Sequence, residues 1–326
     1  MKKKALSAIL IVVIAAVAIG TYWYWNYVLK APYNLRYGHM GIADCAPIYV
    51  ALEKGFFREE GLNVTLVRFT GGPQIVEAAV AGSIDCGHVG IIPALNAFSK
   101  GIPLRLMTDQ ATWNPQHDCH ALIVRNDSNI WSLEDLKGKK YALHSYGTVN
   151  HLASSIILQQ YDITMPSTTT TQGDVEINLI PFAQMPQALL SGSVDVIDVV
   201  EPWVTVAVQM GGRILYHPAT SVFSDHVWHT ATAFFMNDFV EKHKGVVDAF
   251  IRANVKAVRW IASNKEGTIE IIAKYTGLDR DLLEGMTLPD WTESLNADGV
   301  DREMQLMLEH GWITESLDVS ELVYSP

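Results

Sequence analysis

The chain has 326 residues, 24 Lys and Arg against 35 Asp and Glu, and a hydrophobic share of 49 %. That length accommodates about two domains of roughly 100–200 residues each, and ordinary Gly and Pro contents exclude a disordered or collagen-like chain. A net charge of −11 argues against nucleic acid as a partner, because phosphate binding needs clustered Lys and Arg.

Lys2, Lys3 and Lys4 precede an uncharged apolar run over residues 5–25, long enough to cross the ~30 Å hydrocarbon core as a helix. The run ends in Tyr22, Trp23, Tyr24 and Trp25, with Tyr27 just beyond. Such amphipathic rings favour the headgroup level. The expectation for residues 1–30 is an N-terminal membrane anchor, lysines inside and the bulk of the chain outside. A cleaved signal peptide, cut near Ala16, Val17 and Ala18, is the alternative. Without Lys2, Lys3, Lys4 and Lys30, the 24 basic residues fall to 20 against 35 acids. That balance suits an outward-facing domain and not one lying on anionic lipid.

Beyond the anchor, short β-rich runs alternate with helical patterns. Strands are expected over 33–37, 63–69 and 83–89. Helices are expected over 48–55, 70–81 and 92–100, stopped by Gly55, Gly82 and Gly101, as glycine commonly stops helices. Farther on, 139–144 and 177–181 read as strands and 145–160 as a helix. Residues 246–263 are helical, with apolar positions at Val247, Phe250, Ile251, Val255, Val258 and Ile261. The last sixty residues are helix-rich, and 166–174 is polar and aperiodic, hence a surface loop. Alternation at this rhythm predicts an α/β architecture with mainly parallel strands. Part of the chain also echoes itself. Gly82-Ser83-Ile84-Asp85 and Gly192-Ser193-Val194-Asp195 each follow a helical run and open a strand, which predicts two similar α/β lobes.

The run Ala46-Pro47-Ile48-Tyr49-Val50-Ala51-Leu52-Glu53-Lys54-Gly55-Phe56-Phe57, followed by Glu60-Gly61-Leu62, carries a resemblance. It continues through Gly71-Gly72-Pro73, Gly82-Ser83-Ile84-Asp85, Leu133-Glu134-Asp135-Leu136-Lys137-Gly138-Lys139, Gly147-Thr148 with His151, and Glu201-Pro202-Trp203. The sequence resembles the periplasmic solute-binding components of ABC importers for nitrate, sulfonates and taurine. Their superfamily also includes binders and synthases of the thiamine pyrimidine precursor. The resemblance implies a type II periplasmic-binding-protein (Venus flytrap) fold. One lobe would comprise 33–116 with 218–326 and the other 117–217, with chain crossings near 112–117 and 217–230. It also implies an ABC permease with its ATPase as partner, a small-molecule ligand, a monomer, no catalysis and no cofactor.

In open parallel sheets, ligands gather beyond the carboxyl ends of the strands. Helix N-termini there expose unpaired N–H groups that suit a small oxyanion. The candidate ligand-binding residues are therefore Cys45, Ala46, Gly71, Gly72, Pro73, Gln74, Gly90, Ser145, Gly147, Thr148 and His151. Trp113, Tyr146 and Trp203 are candidates for an apolar or stacking wall, which would equally suit an aromatic ring. Asp198 and Glu201 are expected at the rim of the second lobe. Glu201 either meets a ligand amine or caps the helix after Pro202.

Cys45, Cys86 and Cys119 leave one disulfide possible, without naming its pair, or three buried thiols. His117-Asp118-Cys119-His120 and Asp225-His226 with His229 are compact, yet their spacing matches no common zinc ligand set, and no metal is assigned. No Gly-x-Ser-x-Gly elbow or phosphate-binding loop with its lysine occurs. The expected activity is binding, not catalysis.

Overall fold

The computed structural model describes residues 16–17, 19–21, 32–167, 172–222 and 228–325. The expected anchor over residues 1–30 falls almost wholly outside them. Among the described residues, no helix is long and apolar enough to cross a membrane.

Strands β1 (Tyr33–His39), β2 (Leu62–Arg68), β3 (Cys86–Gly90), β4 (Leu104–Trp113) and β10 (Trp228–Met236) form one sheet, in the order β2-β1-β3-β10-β4. Strands β5 (His120–Arg125), β6 (Lys140–Leu143), β7 (Glu176–Leu179), β8 (Val196–Val200) and β9 (Gly212–Tyr216) form the other, in the order β7-β6-β8-β5-β9. The two orders are the same pattern. Each sheet is mixed: β1 pairs parallel with β2 and β3, and β6 with β7 and β8, while β10 and β5 are antiparallel to both neighbours. This refines the expectation of mainly parallel sheets. The reversed strand is the one by which the chain enters each sheet from the other. It starts where its neighbours end.

The helices that matter for the site are α1 (Ala46–Glu53), α2 (Gly72–Val80), α3 (Ile91–Ser99), α4 (Val149–Gln159), α5 (Met185–Leu190) and α6 (Trp203–Gln209). Farther along come α7 (Lys244–Ala262), α8 (Lys265–Thr276) and α9 (Ala297–Glu309). Helix α7 buries Val247, Phe250, Ala253, Ala257, Val258 and Ile261, the stripe of an amphipathic helix packed on a sheet. Ile251 and Val255 flank it half-buried. Phe250 stacks on Tyr37 of β1 at 5.8 Å between centroids.

The sequence echo is a structural repeat. Gly82 and Gly192 stand at φ +69° and +74° after their helices. The N–H groups of Ser83 and Ser193 reach back to the carbonyls of Ala78 and Ala188, closing each helix end. Asp85 then accepts the Arg36 N–H at 2.8 Å, and Asp195 the Lys140 N–H at 2.9 Å. Each aspartate fastens the incoming strand to its parallel neighbour, β1 in one sheet and β6 in the other.

Asp198 is not at a rim. It lies fully buried in β8 and accepts from His120 Nε2 (2.6 Å), Tyr141 OH (2.7 Å), Ser154 Oγ (2.7 Å) and Asn150 Nδ2 (2.8 Å). The repeat places His88 of β3 at the equivalent position. Burial pushes the Asp198 carboxyl up, but the His120 ring and the hydrogen bonds from Ser154 and Asn150 outweigh it and hold the pKa at about 2.

Removing one member of such a cluster costs about 3–5 kcal/mol, so Asp198→Asn should be strongly destabilised at neutral pH. The carboxyl pKa is depressed on folding. Its contribution is therefore present above the unfolded value near 4 and lost as pH falls toward 2. In urea titrations the gap between wild type and Asp198→Asn should shrink by about 2 kcal/mol from pH 5 to pH 2; a constant gap would show that the charge contributes nothing.

Candidate ligand-binding site

Where the ends of the two sheets face each other, they line a cavity of about 40 Å³. A water needs about 10–15 Å³ on this measure, so the cavity takes a few heavy atoms. One side is supplied by Met40 after β1, Asp44 before α1, Gly72 at the start of α2, His88 and Gly90 of β3, Trp113 at the end of β4, and Thr230 with Ala231 of β10. The other side is supplied by His144 after β6, Thr148, Val149 and Asn150 at the start of α4, Phe182 after β7, and Val200 at the end of β8. These are the carboxyl ends of forward strands and the start of a reversed one.

Of the candidates, Gly72, Gly90, Trp113 and Thr148 line this cavity. Gly71 lies at the junction of the two sides: a Cβ there would meet Ser145 Cβ at 3.5 Å and His144 Cδ2 at 3.7 Å. Cys45 and Ala46 are fully buried next to Asp44, behind the cavity wall. Pro73 and Gln74 form the first turn of α2, half-buried and exposed.

The remaining candidates sit elsewhere. Thr148 caps α4 by accepting the His151 N–H. His151 turns away from the cavity, accepting the Gly147 N–H at 3.1 Å and donating to the Pro166 carbonyl at 3.0 Å. Tyr146 meets its ring edge-on at 5.4 Å, and Trp312 from the C-terminal region covers it at 4.8 Å. Gly147 lies here too, facing Asn96 of α3. Trp203 is buried in the core beyond the cavity wall. Glu201 takes the capping role: it accepts the Thr205 N–H and Oγ1 and the Thr287 N–H. Burial raises its pKa to about 7 against those hydrogen bonds.

The three cysteines are free and buried. The compact stretch from His117 to His120 is dispersed among partners. His117 donates to the Leu288 carbonyl, Asp118 pairs with His217 at 3.2 Å, and Cys119 points at the Thr287 carbonyl. Asp225 and His226 lie outside the described residues. Among those described, no three His, Cys, Asp or Glu side chains gather as metal ligands.

Sequence reasoning missed Asp44, His88, His144, Asn150 and Phe182. Asp44 carried a signal, as one carboxylate inside an otherwise apolar run over 42–51. His144 ended a predicted strand. Among the described residues, no Lys or Arg lines the cavity. Four of its polar atoms are buried without a hydrogen-bond partner: Asp44 Oδ1, His88 Nδ1, Trp113 Nε1 and His144 Nδ1. Buried polar groups are normally paired, so this concentration marks a place where a partner is supplied from outside. Phe182 stacks on His144 at 4.1 Å. Burial depresses the imidazoles, His88 to about 3 and His144 to about 4.

Two similar mixed sheets joined by crossings, with a cavity between their facing ends, define a two-lobed solute-binding fold. Residues 30–277 match the NMT1-like family, and the chain belongs to it. The binding protein YtlA of Bacillus subtilis is 25 % identical over 246 residues, 73 % of this chain and 70 % of that one. An aliphatic sulfonates-binding protein of Escherichia coli is 24 % identical over 270 residues, 81 % of this chain and 80 % of its own length. The crystal structure of the periplasmic aliphatic sulphonate binding protein from Escherichia coli aligns at TM-score 0.68 over 90 % of this chain and 93 % of that one, at 23 % identity. The periplasmic nitrate-binding protein of Synechocystis aligns at 0.71 over 90 % and 86 %, at 16 % identity.

Both imidazoles should stay neutral at pH 5.5. Nitrogen-detected NMR of the histidine rings should show two side chains in a single tautomer down to that pH, and protonation of either above it would mean that bulk water fills the cavity.

Proposed function

We propose that the chain is the extracytoplasmic substrate-binding component of an ABC importer. It captures a small solute between two lobes, 33–116 with 218–326 and 117–217, and delivers it to a permease served by an ATPase. The observation that carries this reading is the cavity lined from both sheets at their strand ends, the arrangement in which closing two rigid bodies buries a ligand. The relatives are named for binding and for transport of sulfonates, nitrate and bicarbonate. No step here requires a bond to be made or broken.

Closure would be driven by the ligand's differential affinity for the closed arrangement; moving from 1:99 to 99:1 takes about 5.5 kcal/mol. Residues 1–30 would hold a monomer at the membrane with the lobes outside. The first ligand class is a small anion of the sulfonate, taurine or nitrate kind, met by the N-termini of α2, α3 and α4. The stacked His144 and Phe182, with Trp113, favour a second reading, a small aromatic ring such as a pyrimidine precursor.

The test is the small-molecule content of the purified full-length chain. Denaturation followed by mass spectrometry should release one compound in near-stoichiometric amount. Gly71→Asp places a bulky charged group where the two sides meet, at a φ of −164° that any residue adopts. It should retain less than about a tenth of the compound, with a Tm within about 3 °C of wild type. Equal loading of both proteins would remove the cleft between the sheets as the binding place.

A further inference from the structure

The buried carboxylates near the cleft divide into two kinds. Asp109 accepts from His229 Nδ1 (2.9 Å), Thr112 Oγ1 (2.9 Å) and the Thr292 N–H (2.7 Å). Asp198 and Glu201 are likewise satisfied from several sides. Asp44 is 4 % exposed, lines the cavity, and has no hydrogen-bond partner at Oδ1. A buried carboxylate oxygen left without a donor is costly. Its persistence in a wall with no Lys or Arg among the described residues says what is missing: a donor.

A second acceptor comes from the opposite side. Asn150 spends an amide N–H on Asp198 at 2.8 Å. A carboxylate only accepts, so this bond fixes the amide orientation and leaves the Asn150 carbonyl oxygen for the cavity that the residue lines. The two sheets therefore each bring an oxygen acceptor to one small space.

Resting on the importer reading and narrowing its ligand classes, we infer that the solute presents an N–H donor group, ammonium, amidine or amide, to Asp44 and Asn150, so that among the anions proposed above an amine-bearing one of the taurine kind is favoured over nitrate and simple sulfonates. An oxyanion alone would face two acceptors, one of them a buried carboxylate. A ligand with both a donor and an acceptor group satisfies them together with the unpartnered Trp113 Nε1. The amine contact expected of Glu201 thus falls to Asp44.

Binding is coupled to pH. Burial, with the Asp109 charge behind it, raises the Asp44 pKa to about 7. The other titratable groups near it are His88, His144, Cys45 and Cys119, with Glu201, whose backbone carbonyl accepts the Ala43 N–H at 3.0 Å. The Glu201 carboxyl, raised to about 7 by burial, titrates in the same range, so Glu201→Gln is the control for the pH course. Burial lowers the imidazoles to about 3 and about 4, raises Cys45 to about 12 and pushes Cys119 well above the usual thiol range. Between pH 6 and pH 8 these four stay neutral. A donor pairs with the ionised form of Asp44, so affinity should rise with pH up to about 7 and then level off.

The test is calorimetric titration of the full-length chain with matched probes: taurine against ethanesulfonate, 4-aminopyrimidine against pyrimidine, and nitrate alone. The amine-bearing member of at least one pair should bind roughly 10–100-fold tighter than its partner. Asp44→Asn, nearly isosteric, should lose that preference without lowering Tm, and Asn150→Ala should weaken it. Taurine or 4-aminopyrimidine, whichever binds, should also follow the stated pH course. Nitrate or ethanesulfonate binding as well as taurine overturns the inference, as does an unaffected Asp44→Asn. So does affinity that falls as pH rises through 7, the mark of Asp44 donating its proton to an anion. Failure of every amine probe to bind counts against it as well, while the importer reading is judged separately by the co-purifying compound.

Discussion

The direction in which the chain enters each sheet governs everything else. A parallel sheet points its strand ends, and the helix starts that follow, one way. Here two such sheets are joined by crossings, and β5 and β10 begin where their neighbours end. Both sets of ends are thereby turned toward each other. The cavity follows from that orientation, since residues scattered from Met40 to Ala231 reach it only because each lies at the same end of its sheet.

Charge is handled differently on the two sides of the cavity wall. Behind the wall, Asp109 and Asp198 are carboxylates wrapped in donors and serve to fix neighbours: His229 in one sheet, His120 in the other and Asn150 at the start of α4. Trp113, in the wall, stacks on His120 at 5.4 Å, so the Asp198 cluster also positions an aromatic face of the cavity. In the wall itself the polar atoms are left incomplete. A rigid, satisfied layer supporting an unsatisfied one is the arrangement that holds binding groups in place before the ligand arrives.

Much of the architecture was legible in the sequence, because periodicity and glycine stops report local structure. The echoed Gly-Ser-aliphatic-Asp segments proved to be the same helix stop and the same aspartate stitch in two sheets. Strand direction was not legible, because a reversed strand has the same composition as a forward one. The site was legible in part. Gly72, Gly90 and Thr148 line the cavity and sit at helix starts, which sequence marks. Asp44, His88 and Asn150 were missed because their role depends on which partners they lack, and that is settled only when distant segments meet. Glu201 illustrates the same limit: one carboxylate before Pro202 suited a cleft or a cap, and the Thr205 and Thr287 donors decide for the cap.

The segment near residue 290 has a mechanical consequence. Asp290 exchanges two backbone hydrogen bonds with Thr112 at the end of β4, Leu288 accepts from His117, and Thr287 joins Cys119 and Glu201. A third length of backbone is thus laid along the first crossing and tied to it at intervals. Any opening between the two sheets, as proposed, would have to flex this splint as well as the crossings, so the segment over 287–290 would stiffen the pivot and shorten its swing.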